Sequence, residues 1–330
     1  MSTSLVIPFN LRCLQPVRPI THFQWRNMSR THAISHDPVE LSYTSFIPEG
    51  GNATDGPLVI LHGLFGSRRN WGSMCKALHR DMPNRPIYAL DLRNHGTSPH
   101  VTPMTYEAMA GDVHRFIEDK KLKRVALLGH SMGGKAAMAY ALSLKKWDVS
   151  PGTLSKLIIA DIAPSIGSLS PEFIRYIGAM QKIEALPPGV IRTRTDADHK
   201  LQPYESDVSV RQFLLTNLRL PSASRAPHQG GESEKAKFIV PLSILSKSME
   251  ALGSFPYEFN AADNSVSTTW DGSTLAIKGT KSPYINHKNI PALRAFFPNV
   301  QLEELDANHW VHAEKPHEFK KFVVDFLSDR

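Results

Sequence analysis

The chain has 330 residues, 41% hydrophobic and 21% charged, a makeup able to bury a substantial core. No run approaches the roughly 18 apolar residues of a membrane-spanning helix, and two cysteines, Cys13 and Cys75, exclude a disulfide framework and fit a reducing compartment. The formal charge of +7 does not mark a nucleic-acid-binding face: four of those charges (Arg12, Arg18, Arg26, Arg30) lie in residues 1–36, leaving three for the rest of the chain.

Residues 1–36 are Arg-rich, contain Ser and Thr, and hold no acid before Asp37. This is the composition of a mitochondrial presequence, so a mitochondrial location is expected. Leu5-Val6-Ile7 before Pro8 is too short for the apolar core of a secretory signal. A basic tail without a targeting role is the plainer alternative.

From Val39 to the end, short apolar runs alternate with amphipathic stretches, which predicts one α/β domain over 37–330 with a mostly parallel twisted sheet. Val39–Ile47 alternates like a partly exposed strand. Pro57–Leu61, Pro86–Leu90, Val125–Leu128, Leu157–Ala160, Leu275–Ile277 and Val300–Leu305 read as strands covered on both faces. Helices are predicted over Asn70–Arg80, with Cys75 as a small buried hydrophobe, and over Tyr106–Glu118, Met132–Lys145, Pro291–Phe297 and Pro316–Leu327. Residues about 165–255 break the alternation. They carry helical patterns at Pro171–Leu186, Tyr204–Leu218 and Pro241–Leu252 without a convincing buried strand, and are expected to form a helical lid. Within it, Pro221–Lys237 has the composition of a disordered loop.

Gly129-His130-Ser131-Met132-Gly133 falls between the predicted strand Val125–Leu128 and the Ala-rich helix after it. Strand, sharp turn and helix are the context of a nucleophile elbow, in which a strained turn lifts the serine hydroxyl above the sheet edge. Glycines at 129, 133 and 134 keep that turn free of Cβ clashes. This is the mark of an α/β-hydrolase fold, with Ser131 as nucleophile. Aspartate at this position would suggest dehalogenation or epoxide opening; serine does not.

A serine hydroxyl needs a base, and the fold orders its triad Ser, Asp or Glu, His. His309, in the loop after Val300–Leu305, is the expected base, and His312 is the nearby alternative. For the acid, the loop after Leu275–Ile277 offers Ser282 where a carboxylate would be expected. Asp161, leaving the strand beside that of the nucleophile, is the candidate instead, with Asp263 and Asp306 as rivals. His62-Gly63-Leu64-Phe65-Gly66 follows the first buried strand, where this fold builds half of an oxyanion hole. The backbone N–H groups of Leu64 and Met132 are the expected donors. Asp91-Leu-Arg-Asn-His95-Gly96-Thr-Ser98 is expected to pin its loop. Asp196, Asp198 and His199 are read as helix-start or surface residues and not as metal ligands.

Six blocks carry a closer resemblance: His62–Ser67, Asp91–Pro99, Gly129–Lys135, Asp161–Pro164, Val210–Leu218 and Asn308-His309. In these the chain resembles the subfamily of alpha/beta-hydrolase domain-containing protein 11 and the related yeast ethanol acetyltransferases. The resemblance runs from about residue 39 to the end and is weakest at Lys145–Thr153 and Pro221–Lys237. It implies a triad acid at the position of Asp161, agrees with Ser282 at the alternative site, and implies a mitochondrial setting.

The expected activity is acyl transfer through an acyl-serine. Water as acceptor would make an esterase or thioesterase, and an alcohol with acetyl-CoA as donor would make an acetyltransferase. No metal or cofactor is expected, and acetyl-CoA would enter as a substrate. The resemblance also implies an alternative, a protein that binds a mitochondrial partner and supports lipoylated 2-oxoacid dehydrogenases, with catalysis secondary.

Overall fold

Short apolar runs, too short for a helix, form the central strands of the sheet, as in Leu58–Leu61 and Ile87–Leu90, each preceded by a proline. The computed structural model describes residues 37–51, 53–167, 169–221 and 234–328; residues 1–36, the expected leader, and most of the Pro221–Lys237 loop lie outside them. The first half of the domain runs β1 (Tyr43–Phe46), β2 (Leu58–Leu61), α1 (Gly72–Asp81), β3 (Ile87–Leu90), α2 (Tyr106–Asp119), β4 (Val125–His130), α3 (Met132–Ser143) and β5 (Leu154–Ala160). Helices α4 (Pro171–Glu184), α5 (Arg194–Leu201) and α6 (Val208–Leu215) follow, then β6 (Leu218–Arg219), β7 (Lys237–Phe238), α7 (Leu242–Lys247) and α8 (Met249–Gly253). After β8 (Phe259–Asn260) and β9 (Ser265–Val266) come β10 (Ser273–Gly279), α9 (Ile290–Phe296), β11 (Val300–Leu305), α10 (Val311–Glu314) and α11 (Pro316–Ser328).

Seven strands form one sheet in the order β1-β3-β2-β4-β5-β10-β11. Only β1 is antiparallel to its neighbour. Alternate residues of the central strands serve two cores, as the period of two requires. Leu58, Ile60, Leu128 and Ile158 pack with Cys75, Leu78 and Phe319 of α1 and α11. Val59, Leu61, Leu127 and Ile159 pack with α2, α3 and the lid helices. The strand β11, expected to be covered on both faces, lies at the sheet's edge with only Leu305 buried.

The region 165–255 carries α4 to α8, but the helix expected over Tyr204–Leu218 covers only Val208–Leu215, and the one expected over Pro241–Leu252 is broken at Ser248 into α7 and α8. The helix α5 was not in the expected set; Thr193 caps it by accepting from the Asp196 N–H at 3.1 Å, and only Ala197 and Leu201 are buried. The expected loop Pro221–Lys237 ends in strand, because β7 pairs antiparallel with β6.

Parallel strands deliver their C-terminal ends to one edge, and the candidate residues follow those ends. His62 follows β2, Asp91 β3, Ser131 β4, Asp161 β5, Ser282 β10 and His309 β11. The loop after β3 is tied down by charge. Arg93 donates to both carboxylate oxygens of Asp112, at 2.6 and 2.7 Å, with both side chains essentially inaccessible. Asp112 also accepts the Val39 N–H at 2.7 Å. Removing one member of such a pair strands a buried charge. Asp112→Ala is expected to destabilise the domain by about 3–5 kcal/mol in urea unfolding; a loss below about 1 kcal/mol would show that this pair does not hold the loop.

Candidate active site

The turn from β4 into α3 places Ser131 at φ +53°, ψ −118°, a conformation that a side chain rarely adopts. It is held by its own N–H, which donates to the Ala160 carbonyl at 3.0 Å, and by its carbonyl, which accepts from Lys135 N–H at 3.0 Å. The turn is tight enough that a Cβ on Gly133 would lie 2.5 Å from the His62 carbonyl oxygen. Helix α3 thus runs close against the end of β2, and the hydroxyl is raised toward the loop after β11.

That loop carries His309. The Ser131 hydroxyl donates to His309 Nε2 at 2.9 Å, and His309 Nδ1–H donates to Asp161 Oδ2 at 2.8 Å. Asp161 is fully buried. It also accepts from the Gly279 N–H at 2.9 Å and from the Ser282 hydroxyl. The structure therefore brings Ser131, His309 and Asp161 into one relay. It keeps the other candidates apart: Asp306 pairs with Lys281 in solvent at 2.9 Å, and Asp263 accepts the Ser265 N–H in a turn. His312 is half-buried and stacked on Trp71 with ring centres 4.3 Å apart.

The expected oxyanion donors flank the serine. Met132 opens α3, where a helix leaves its first N–H groups without intrahelical partners. Leu64 lies in the turn Gly63–Gly66, closed by the Gly66 N–H donating to the Gly63 carbonyl at 2.9 Å. Among the described residues, no cluster of three or more His, Cys, Asp or Glu is arranged to hold a metal ion.

Residues 56–316 match the model of the alpha/beta hydrolase fold family. The chain belongs to that family. It is 36% identical to the sn-1-specific diacylglycerol lipase ABHD11 of Danio rerio, over 88% of this chain and 83% of that protein. A Saccharomyces cerevisiae protein named "Probable alcohol acetyltransferase" is 33% identical, over 88% of this chain and 84% of its own length. A solved structure described as a marine microorganism esterase superposes with a TM-score of 0.71 at 31% identity, covering 87% of this chain and 99% of that one.

This α/β hydrolase surrounds its serine with residues whose part the sequence did not reveal. Ser282, notable in the sequence only as a missing acid, donates to Asp161. Tyr284 packs its ring 4.1 Å from that of His309. His130 Nε2–H donates to the His309 carbonyl at 2.9 Å, and Glu314 accepts the Asn308 N–H at 2.8 Å, so the loop bearing the base is held from both sides. The Lys135 ammonium donates to the carbonyls of Ser165 (2.8 Å), Gly253 (3.1 Å) and Ser254 (2.9 Å), and burial pushes its pKa down to about 8. Both ends of the lid are thereby fastened to the nucleophile's helix. The fragment Gly-Lys after the elbow was the available signal, because a lysine on the buried face of an Ala-rich helix needs acceptors.

Two cavities meet at Ser131, with Leu64 and Phe173 lining both. One, of about 160 Å³, runs between α3 and the lid past Tyr106, Ile162 and Leu169. The other, of about 30 Å³, lies on the His309 side against Trp71, Phe213 and Trp310.

Burial also sets the protonation of the surrounding histidines. It pushes His62 down to about 4, and His95 and His312 to about 3. An unfolded chain protonates these rings below about pH 6.5 while the folded protein does not, so the unfolded state binds more protons and stability falls on acidification from about pH 6.5 to 4. The expected slope is about 1.4 kcal/mol per pH unit for each ring. The urea midpoint should drop between pH 7 and 5, and His312→Phe, which keeps the stack on Trp71, should remove one ring's share. A midpoint independent of pH would contradict the neutral assignment.

Proposed function

We propose that this chain hydrolyses carboxylic esters or thioesters, or passes their acyl group to an alcohol, through an acyl-serine on Ser131. The relay from the Ser131 hydroxyl through His309 to the buried Asp161, opening onto two cavities, is the observation that carries the reading. Ser131 Oγ adds to the carbonyl carbon as its proton passes to His309 Nε2. Asp161 fixes the imidazole tautomer and offsets the positive charge that forms. The N–H groups of Leu64 and Met132 receive the developing oxyanion, where one such donor is worth about 2.7–4 kcal/mol. Collapse breaks the bond to the leaving alcohol or thiol, which takes the proton from His309. Water or an alcohol then adds to the acyl carbon, His309 again carrying the proton, and Ser131 recovers its hydroxyl.

The leaving group must lie within reach of His309 Nε2, so the cavity on that side is the leaving-group and acceptor arm. The cavity along α3 is then the acyl arm. Acetyl-CoA, if used, is a substrate of this cycle and not a cofactor. The acid-free leader supports a mitochondrial setting. The partner-binding alternative gains no support, since the relatives are named for ester hydrolysis and acyl transfer.

The test is to give the full chain a short-chain aryl ester, and separately acetyl-CoA with and without ethanol. Ser131→Ala is expected to lose turnover by about 10⁴-fold or more, and Asp161→Asn by about 10²–10⁴-fold in kcat, while Asp306→Asn keeps it. Unchanged turnover in Ser131→Ala would sink the reading. Ethyl acetate formed relative to free acetate measures the choice of acceptor.

An apolar cavity of about 150 Å³ takes a benzene-sized guest, so the acyl arm suits chains of about four to six carbons. In a series of aryl esters, kcat/KM should peak there and fall toward palmitate. A maximum at palmitate would overturn this limit on the acyl arm.

A further inference from the structure

The turn that aims Leu64 is built on an unfavourable residue. Gly63 to Gly66 has positive φ only at its third position, the type II pattern, where glycine or asparagine is the usual occupant. Here that position is Phe65, at φ +62°. A buried phenylalanine does not favour this conformation, so its surroundings must impose it.

They do so from two directions. The Phe65 N–H donates to His95 Nε2 at 3.2 Å, and His95 Nδ1–H is committed to the Arg93 carbonyl at 3.0 Å. The Phe65 carbonyl accepts from Asn217 Nδ2 at 2.7 Å, a buried bond across 152 residues. Asn217 belongs to the lid, between α6 and β6, and is itself 4% exposed. Its N–H donates to Leu214 at 3.1 Å and its carbonyl accepts from Ile239 at 2.8 Å, so its backbone is fixed before its side chain reaches the turn.

A trans peptide points its C=O and N–H in opposite directions. Asn217 draws the Phe65 carbonyl to one side, and the Gly66 N–H of the same peptide is thereby turned to the other, onto the Gly63 carbonyl. His62 Nδ1–H donates to that carbonyl as well, at 2.8 Å. With the Gly63 carbonyl fixed, the Leu64 N–H on the same peptide is fixed in the opposite sense. Two peptide planes therefore connect a lid amide to an oxyanion donor.

We propose that Asn217 is a positioning residue for the oxyanion hole, through which docking of the lid sets the aim of the Leu64 N–H. The proposal rests on the acyl-serine reading given above, and the two can fail separately.

The experiment compares Asn217→Ala and Asn217→Asp with the unaltered full chain. Both variants should lose about 10- to 100-fold in kcat on an aryl butyrate, with KM within about threefold. The inhibition constant of an aryl boronic acid, whose adduct on the serine mimics the tetrahedral intermediate, should rise by a similar factor. Asn217→Asp adds a signature that loss of packing does not produce. Its carboxylate repels the Phe65 carbonyl, but its protonated form donates as the amide does, so its activity relative to wild type should rise from pH 8 to pH 6. The isosteric Asp variant carries the test if the Ala variant does not fold. Wild-type kcat in both variants, a change in KM alone, or a ratio flat with pH would overturn the proposal. Failure of the boronic acid to inhibit the unaltered protein would instead count against the acyl-serine reading.

Discussion

A carboxylate wholly removed from water holds the relay together, and the surrounding segments are arranged to give it hydrogen-bond donors. Leaving a buried anion unpaired would cost several kcal/mol. Asp161 avoids that with three donors: the Gly279 backbone, the Ser282 hydroxyl and the His309 ring. These come from the end of β10, the loop after it and the loop after β11, while the carboxylate itself directly follows β5. The register of β5 between β4 and β10 is therefore a chemical constraint as well as a packing one. A slip of one residue would turn the carboxylate to the opposite face of the sheet.

The histidines show how one residue type is put to opposite uses by solvent access. His62 and His95 are buried and neutral, and each uses one ring nitrogen to donate and the other to accept. His62 donates to Gly63 and accepts from the Leu92 N–H at 3.0 Å; His95 donates to Arg93 and accepts from Phe65. A neutral imidazole is the side chain that can bridge a carbonyl and an N–H in a dry interior, and protonation would end the acceptor half of each bridge. His309 differs by position, with its ring against Tyr284 and its Nε2 bonded to Ser131, where the two cavities meet.

The sheet and the relay were legible in the sequence because each has a short-range signature. Aliphatic runs of four to seven residues place the strands, and the strand–elbow–helix sequence around Ser131 places the nucleophile. His309 and Asp161 were legible from chain order and strand ends. What stayed hidden depends on contacts distant in sequence. Ser282 has meaning only through a carboxylate 121 residues away, and Asn217 only through a turn 152 residues away. The helix α5 escaped for a local reason: its single apolar pair, Ala197 and Leu201, makes too narrow a stripe to register. Its start is nonetheless marked in the sequence by the capping residue Thr193 and by Asp196 three residues on.

Lys135 gathers the carbonyls of Ser165, Gly253 and Ser254 around one nitrogen, so the two ends of a segment nearly ninety residues long lie within a few ångströms of each other. Such a segment is inserted at a single point on the surface of a sheet whose strands are already in order without it. Closing the same gap with a shorter or longer piece changes loop entropy only slowly with length, and segments with adjacent ends are those that tolerate exchange. An exchanged segment would leave Ser131, Asp161 and His309 at the ends of their own strands, but it would also have to bring a donor for the Phe65 carbonyl, as Asn217 does here. Substrate preference can therefore change along most of the segment, while the one amide that reaches the turn after β2 stays tied to the chemistry.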